Sequence, residues 1–580
     1  PNFFTDNENM VWHFRNMDLS DIVHLREPGF QEAAQYPYAP SSVEDALDNY
    51  YRVMELLGGI CGDFIAPRAT DVDRHGCTLE NGKVSYAPGT VENLKALSQA
   101  DLMGFTLPRK YGGLNMPHTL YCMANDMVSR ADASLMNLFG LQDIAETIRA
   151  FGSEEQRQRY LPKFCSGEVT GAMVLTEPDA GSDLQSIRTR AHVSQDADGQ
   201  WRINGVKRFI TNGCGEVLLV MARSEEGTTD ARGISLFIVE KGPDVVIQRI
   251  EDKLGIHGSP TCQIFFNNAK ADLVGQRRRG LITYVMALMN GARIGIAAQG
   301  VGVAEAAYRA ALAYAVSRRQ FGKAIFDISP VSELLVDMKV GVETGRSLLY
   351  ECGRAVDREE GLGHKLETMD RKDPAYAVTK EKLAFWRKVA AVLTPLAKFY
   401  CCEMALDVTS KNIQVHGGSG FMRDYEAERY WRDARITTIY EGTTELQGVA
   451  IQPGVMGGNI KEYLAQKAAK TYTGEPAQLH AAVRGIHADL DAAVAHLQQR
   501  GDNEYTALMA KRLSSITANT VIGYLMVDEA SRSERRLLTA RHFIRQAAVR
   551  SKALLEEIRL NNDTAIRDYR AMLEKDVPRE

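Results

Sequence analysis

Leu175-Thr176-Glu177-Pro178-Asp179-Ala180-Gly181-Ser182-Asp183 stands just beyond the point, near Val169, where the texture of this 580-residue chain changes from helical to extended. The Thr176 and Ser182 hydroxyls, a turn of backbone amides and the close approach that Gly181 permits suit a polar planar ligand with carbonyl edges. The same nine residues also read as a capped loop between two elements. Short β-branched runs follow them: Trp201 to Thr211, Val217 to Ala222, Ile234 to Val239, Val245 to Ile250 and Cys262 to Phe266. Turn residues such as Asp198-Gly199 and Asn204-Gly205 separate these runs. Ile234, Leu236 and Ile238 alternate with Ser235, Phe237 and Val239, which predicts a mixed apolar strand. The pattern is a small β domain set inside a helical chain.

Helical texture flanks it on both sides. Residues 1–41 read as an irregular, aromatic-bearing extension (Phe3, Phe4, Trp12, Phe14, Tyr36, Tyr38). From 42 to 168 the pattern is helical, with Ser42 as N-cap and Asp45 three residues later; Gly104-Phe105 and Lys110 to Gly113 break it. The β texture occupies 169–276. A second helical block spans 277–457, with long helices from Gly280 to Lys411, a charged loop at Asp357 to Asp373, a break at Gly417 to Gly420 and a further helix at Glu426 to Tyr440. Residues 458–580 are an additional helical block. There Leu479, Val483, Ile486, Leu490, Val494 and Leu497 recur every three or four residues, a stripe that predicts core packing. The fold class is mostly α with a central β domain.

The bulk numbers set limits. The length requires several domains. Hydrophobic residues are 45% and charged residues 25%, and the net charge of -5 does not recruit nucleic acid or anionic membrane. No stretch reaches the roughly 18 uninterrupted apolar residues of a membrane span. Pro1 to Met10 has no basic region followed by an apolar one, and the nine cysteines are scattered without Cys-x-x-Cys. A cytoplasmic chain with reduced, buried thiols is expected.

Four further motifs carry candidate chemistry. Trp201 to Gly213 reads as a hairpin with an Asn204-Gly205 turn. Arg318-Arg319-Gln320-Phe321-Gly322-Lys323 follows a long helix; Arg318 could grip a pyrophosphate with two parallel hydrogen bonds, and a solvated basic helix end explains the charges equally well. Gln414-Val415-His416-Gly417-Gly418-Ser419-Gly420-Phe421 frees backbone amides for an anion but lacks a P-loop lysine, and His416 has no ligand-spaced partners for a metal. In Ile439-Tyr440-Glu441-Gly442-Thr443-Thr444-Glu445, desolvation of Glu441 in a dry pocket would make it a poised base.

Together, in this order and spacing, the motifs resemble the acyl-CoA dehydrogenase family over about residues 45 to 455. The resemblance implies an N-terminal helical domain, a β-barrel-like middle domain and a C-terminal four-helix bundle with FAD between them. Met173, Leu175, Thr176, Gly181, Ser182, Phe209 and Thr211 match positions around the flavin, with Phe209 where Trp is frequent. Arg318, Gln320, Phe321, Gln414, Gly417 and Gly418 match positions that reach the FAD of a neighbouring subunit. Thr443 and Glu445 match FAD-contacting positions, the latter commonly Gln. Ser182, Asn290, Arg293 and Gly442 fall on the acyl-CoA side. Some branches carry the base on the helix at Gly291 or Ala292; neither residue here can take a proton, which leaves Glu441. The implied reaction is dehydrogenation of a saturated acyl-CoA to the trans-2-enoyl-CoA, of the fatty-acid β-oxidation type, with Glu441 taking the α-proton and the β-hydride passing to flavin N5. Electron-transfer flavoprotein is the implied acceptor. The extension and the last block resemble the subgroup of very-long-chain and 3-methylmercaptopropionyl-CoA dehydrogenases, implying a homodimer in place of a tetramer. An acyl-CoA oxidase and a flavin-bearing DNA-binding relative are the alternatives; the latter needs a basic face, and Arg532, Arg535, Arg536, Arg541 and Arg545 are interleaved with Asp528, Glu529 and Glu534. Peripheral membrane contact and acyl chain length are left open.

Overall fold

The computed structural model describes residues 1–140, 142–194 and 199–578; Asp198 of the expected Asp198-Gly199 turn lies outside them. The first 40 residues correct the expectation of irregularity. Helix α1 (Glu8–Asn16) starts on Asn7, whose side chain accepts from the Met10 amide, and α2 (Ser20–Arg26) follows it. Phe3, Phe4, Met10 and Phe14 are buried, with Phe4 edge-on to Phe14 and to Tyr51 of α3 (Val43–Gly59). These aromatics have no helical period of their own because they pack between elements. Asn9 also accepts from the fully buried Arg346 at 3.0 Å, which ties the extension to the bundle. The Ser42 cap is present, accepting from the Asp45 amide at 3.1 Å.

The N-terminal helices that matter for the site are α4 (His118–Ala131), α5 (Ala133–Phe139), α6 (Gln142–Phe151) and α7 (Glu154–Ser166). The β domain comprises β1 (Gly171–Val174), β2 (Arg190–Val193), β3 (Trp201–Thr211), β4 (Val217–Arg223), β5 (Ile234–Glu240), β6 (Val245–Ile250) and β7 (Thr261–Leu273). The strands run β1-β4-β2-β3-β7-β5, and β5 pairs back onto β4, so the sheet closes as a barrel with β6 added on β7. Apolar residues of both faces are buried: Leu218, Val220 and Phe237 fill the interior, while Leu219, Met221, Leu236 and Ile238 pack outward with α6 and α7. That two-sided burial is why β5 reads as a mixed apolar strand and not a one-sided one. The expected hairpin at Asn204-Gly205 is absent. β3 runs unbroken past these residues, and they mark a register shift against β7. A Cβ on Gly205 would sit 2.8 Å from the Thr189 backbone, so glycine is there for close approach.

Three long helices build the second helical domain: α8 (Met286–Ser317), α9 (Ser329–Thr368) and α10 (Pro374–His416). α8 and α10 are long and apolar enough to cross a membrane by composition. Here α8 packs on α4, α9 and α10, and α10 packs on α8 and α9, all within one core. A helix packed on several sides loses its polar face. The charged loop expected at Asp357 to Asp373 is helical as far as Thr368. Asp357 accepts the His118 and Thr119 amides at 2.6 and 2.8 Å, capping α4 from a distance. The helix expected over Glu426 to Tyr440 is shorter: α11 (Ala427–Arg435) gives way to a tight turn at Ile436–Thr438, which frees Tyr440 and Glu441.

α12 (Thr444–Met456) closes the second domain, and the last block adds α13 (Gly474–Arg500), α14 (Ala510–Ala530) and α15 (Glu534–Arg559). The stripe on α13 is core: Leu479, Val483, Ile486, Leu490 and Leu497 are buried. The arginine cluster is largely ion-paired. Arg536 is buried between Glu343 and Glu529, Arg541 meets Glu475, and Arg532 meets Asp528.

Candidate active site

A cleft opens where α5, α6, α8, the β domain and the turn after α11 converge. Met173, Leu175, Thr176, Phe209 and Thr211 form its β-domain wall. Met136, Asn137, Gly140 and Asp143 come from the N-terminal helices, Leu288, Ala292 and Gly295 from α8, and Tyr440 and Glu441 from the turn. The β-domain wall is built by two buried charges. Lys207 donates to the Leu175 carbonyl at 2.8 Å and meets Glu177 at 2.9 Å, while Glu177 accepts the Arg188 and Thr189 amides. The Arg208 amide holds the Thr176 carbonyl. The hydroxyls of Thr176 and Thr211 donate to nothing among the described residues.

Glu441 occupies the facing wall in a left-handed conformation, φ 54, followed by Gly442 at φ 92. A non-glycine residue holds that conformation only where its surroundings over-determine it. Gln447 of α12 donates to the carbonyls of both Glu441 and Gly442, at 3.0 and 3.1 Å, and the buried Lys398 of α10 donates to the Gly442 carbonyl at 2.6 Å. The preceding Tyr440 hydroxyl donates to Gln299, which in turn donates to Asn137 at 3.1 Å, and Asn137 donates to Ser259. Burial raises the Glu441 carboxyl above the usual carboxylate range, and the charges of Lys398 and Arg293 pull against that rise. Arg293 is half-buried; it donates to Asn290 at 3.1 Å and leaves its Nε without a partner.

Of the expected site residues, the cleft therefore gathers Met173, Leu175, Thr176, Phe209, Thr211 and Glu441, with Arg293 close enough to act on Glu441. Gly181 and Ser182 lie on an exposed loop beside it. Thr443 caps α12 with its side chain, and Glu445 is exposed on the first turn of that helix. Asn290 lies on α8 beside Arg293 and Gly442 directly follows Glu441, whereas the other six expected residues form a separate exposed surface. Arg318, Gln320 and Phe321 sit at a two-stranded hairpin after α8, with Phe321 92% exposed. Gln414, Gly417 and Gly418 are exposed at the end of α10, where Tyr314 and Ser419 join the two groups. His416 is buried against Tyr314 and held by the Asn412 carbonyl, a structural role. His257 bridges Asp73 and the Lys253 carbonyl. Asn137, Asp143, Gln299, Lys398 and Gln447 gave no signal in the sequence.

Family models cover most of the chain. Those described as the acyl-CoA dehydrogenase N-terminal, middle and C-terminal domains match residues 55–168, 172–269 and 279–456, and a further one, acyl-CoA dehydrogenase C terminal, matches 453–562. The chain belongs to the acyl-CoA dehydrogenase family. Its relatives include the 3-methylmercaptopropionyl-CoA dehydrogenase of Ruegeria pomeroyi, 35% identical with 73% of each chain covered, and an acyl-CoA dehydrogenase of Bacillus subtilis, 34% identical over 63% of this chain and 89% of the other. Among solved structures, butyryl-CoA dehydrogenase from Megasphaera elsdenii is 30% identical with TM-score 0.59, covering 70% of this chain and 98% of its own. The acyl-CoA dehydrogenase from Bacillus anthracis complexed with FAD is 22% identical with TM-score 0.74 and covers 93% of both, so the fold match includes the additional C-terminal helices.

Acyl-CoA dehydrogenases are FAD-dependent oxidoreductases, and this cleft fits that cofactor. Phe209 stands on the cleft wall at φ 60 with 54% of its surface exposed, which leaves an aromatic face for a planar ring to cover. The unpartnered Thr176 and Thr211 hydroxyls offer hydrogen bonds to ring heteroatoms. The Phe209, Thr176 and Thr211 wall supplies the kind of contact that a flavin ring requires, and the separate Arg318 and Gly417 surface the kind that a pyrophosphate requires.

Proposed function

We propose that this acyl-CoA dehydrogenase oxidises the α,β-bond of a saturated acyl-CoA, with Glu441 as the base that removes the α-proton. The observation that carries this reading is a partly buried carboxylate that lines the same cleft as the Thr176, Phe209 and Thr211 wall. Burial raises its proton affinity, so it is a stronger base than a carboxylate in water. The charges of Lys398 and Arg293 oppose that rise and favour the ionised form. The Glu441 backbone N–H donates to no group among the described residues, which leaves it available to the thioester carbonyl as negative charge develops there. Gln447 and Lys398 fix the turn, so neither the amide nor the carboxyl has to reorganise. FAD, when bound, supplies the two-electron acceptor. The apolar walls from Met136, Leu288 and Ala292 exclude water from the acyl chain.

In anaerobic titration, Glu441→Gln should retain FAD and fail to bleach it on adding acyl-CoA, a loss of about 10²–10⁴-fold or more. Normal bleaching would remove Glu441 from the mechanism. The direction of reaction is part of the proposal, since the relatives also include an acryloyl-CoA reductase (NADH) of Anaerotignum propionicum, 32% identical over 63% of this chain and 86% of the other. Electron-transfer flavoprotein is the acceptor proposed for a β-oxidation-type step, tested by its reduction with substrate-reduced protein. A homodimer is proposed because the exposed Arg318, Phe321 and Gly417 surface stands apart from the cleft and would serve a partner's cofactor. A monomer that keeps FAD in sedimentation would remove that proposal.

A further inference from the structure

A plain alkyl chain calls for an apolar pocket, and one group in this cleft does not suit it. Asp143 of α6 lines the cleft beside Met136, Ile144, Leu288 and Ala292. Its carboxyl lies against α8 at Gly291, where an added Cβ would stand 3.0 Å from Oδ1. Glycine at 291 thus provides the seat for this carboxyl. No described residue donates a hydrogen bond to it or pairs with it, although carboxylates elsewhere in the interior, such as Glu177, Glu305, Glu343 and Asp357, all have close partners. The carboxyl is partly exposed and opens on the cleft, so a ligand that fills the cleft displaces its water and must supply a hydrogen bond in return.

We propose that Asp143 is a specificity-determining residue that anchors a hydrogen-bond donor carried on the acyl chain, so that the preferred thioester is a hydroxyacyl- or aminoacyl-CoA and not an unsubstituted alkanoyl-CoA. The inference rests on the acyl-CoA reading of the cleft. Burial, opposed by His118 and reinforced by Glu146 and Glu441, raises the Asp143 carboxyl to about 7. Near neutrality it can therefore meet a hydroxyl as donor or as acceptor, and an ammonium group as acceptor. A site built around a polar contact discriminates strongly against the analogue that lacks it, because the protein's own polar group is then left unpaired.

The test compares 4-hydroxybutanoyl- and 5-hydroxypentanoyl-CoA, and the 4-amino and 5-amino equivalents, with butanoyl- and pentanoyl-CoA. The readouts are kcat/KM for flavin bleaching in the FAD-loaded protein and Kd in the Glu441→Gln background. The wild-type protein should favour at least one substituted thioester by about 10-fold or more, the factor expected of one hydrogen bond to a carboxyl that the bound ligand shields from water. Asp143→Leu should abolish or invert that preference, and Asp143→Asn, which keeps hydrogen-bonding capacity, should retain part of it. Equal preference in wild type and Asp143→Leu, or a wild-type preference for the alkanoyl chains, would overturn the proposal. If bleaching fails for every thioester while the Kd preference persists and depends on Asp143, the selectivity stands and the dehydrogenase reading falls. Absence of any thioester binding overturns both. Should Asp143→Leu fail to fold, equal ratios in wild type and Asp143→Asn together with no wild-type preference are decisive against it.

Discussion

Lys398→Met isolates the charge beneath the turn that carries Glu441, the proposed base. Lys398 is fully buried and forms no ion pair among the described residues, and its Nζ reaches the Gly442 carbonyl at 2.6 Å, one residue beyond Glu441. Two unit charges 4 Å apart interact by about 4 kcal/mol at an effective dielectric of about 20. Lys398 is bonded to the neighbouring peptide and not to the carboxylate itself, so a fraction of that, about 1.4 kcal/mol or one pK unit, is the expected effect on Glu441. The sign follows from the chemistry. Without the cation the carboxylate is less stable, Glu441 holds its proton to higher pH, and the base is unavailable over a wider acid range. The acid limb of the kcat/KM profile should move up by about one unit, with FAD content unchanged. Folding stability should change little, because the buried cation loses its desolvation penalty while the Gly442 carbonyl keeps Gln447 as donor. Gln447→Met separates charge from positioning: it loosens the same turn and should lower kcat without moving the limb. An acid limb that stays in place in Lys398→Met, or moves down, would refute the electrostatic account.

Other outcomes follow from the same geometry. Gly442→Ala places a Cβ 2.6 Å from Gln447 Nε2 at a φ of 92, a strain of about 1–3 kcal/mol; kcat should fall about 10–100-fold while the absorbance of bound FAD persists, and an unaltered kcat would show that the turn tolerates movement. Arg536→Ala leaves Glu529 buried without its counter-charge and removes one from Glu343, a loss of about 3–5 kcal/mol; calorimetry should show a lower midpoint, and none would mean the ion pairs contribute nothing. The His118 imidazole, despite its burial, is raised to about 9 by Glu360. A group whose folded value lies above its unfolded value stabilises the fold below about pH 6.5, and that contribution, of order 3 kcal/mol, is lost as pH rises through about 9. The melting midpoint should fall across that window in the wild-type protein and be flatter in His118→Gln; parallel curves would contradict the pairing.

Much of the architecture was legible along the chain. β-branched runs marked β4, β5 and β6, Ser42 marked the start of α3, and the period of α13 marked its buried face. The motif residues Thr176, Phe209 and Glu441 announced one cleft, although they lie as much as 265 residues apart. The errors share a cause. Asn204-Gly205 looks like a turn, and Asp357 to Asp373 looks like a charged loop, because each was judged from its own neighbours. In the fold, Thr189 closes on Gly205 and the amides of α4 satisfy Asp357, so tertiary contacts override local preference.

Local sequence, then, set which segments became helix or strand and which motifs could carry chemistry, since backbone preference and apolar period are encoded within a few residues. Folding alone brought Asp143 to Gly291, Lys398 beneath Gly442 and Gln299 to Tyr440, and left the Arg318 surface apart from the cleft. Those pairings join helices and turns distant in the chain, and a contact between distant residues has no local period or turn by which it could be read.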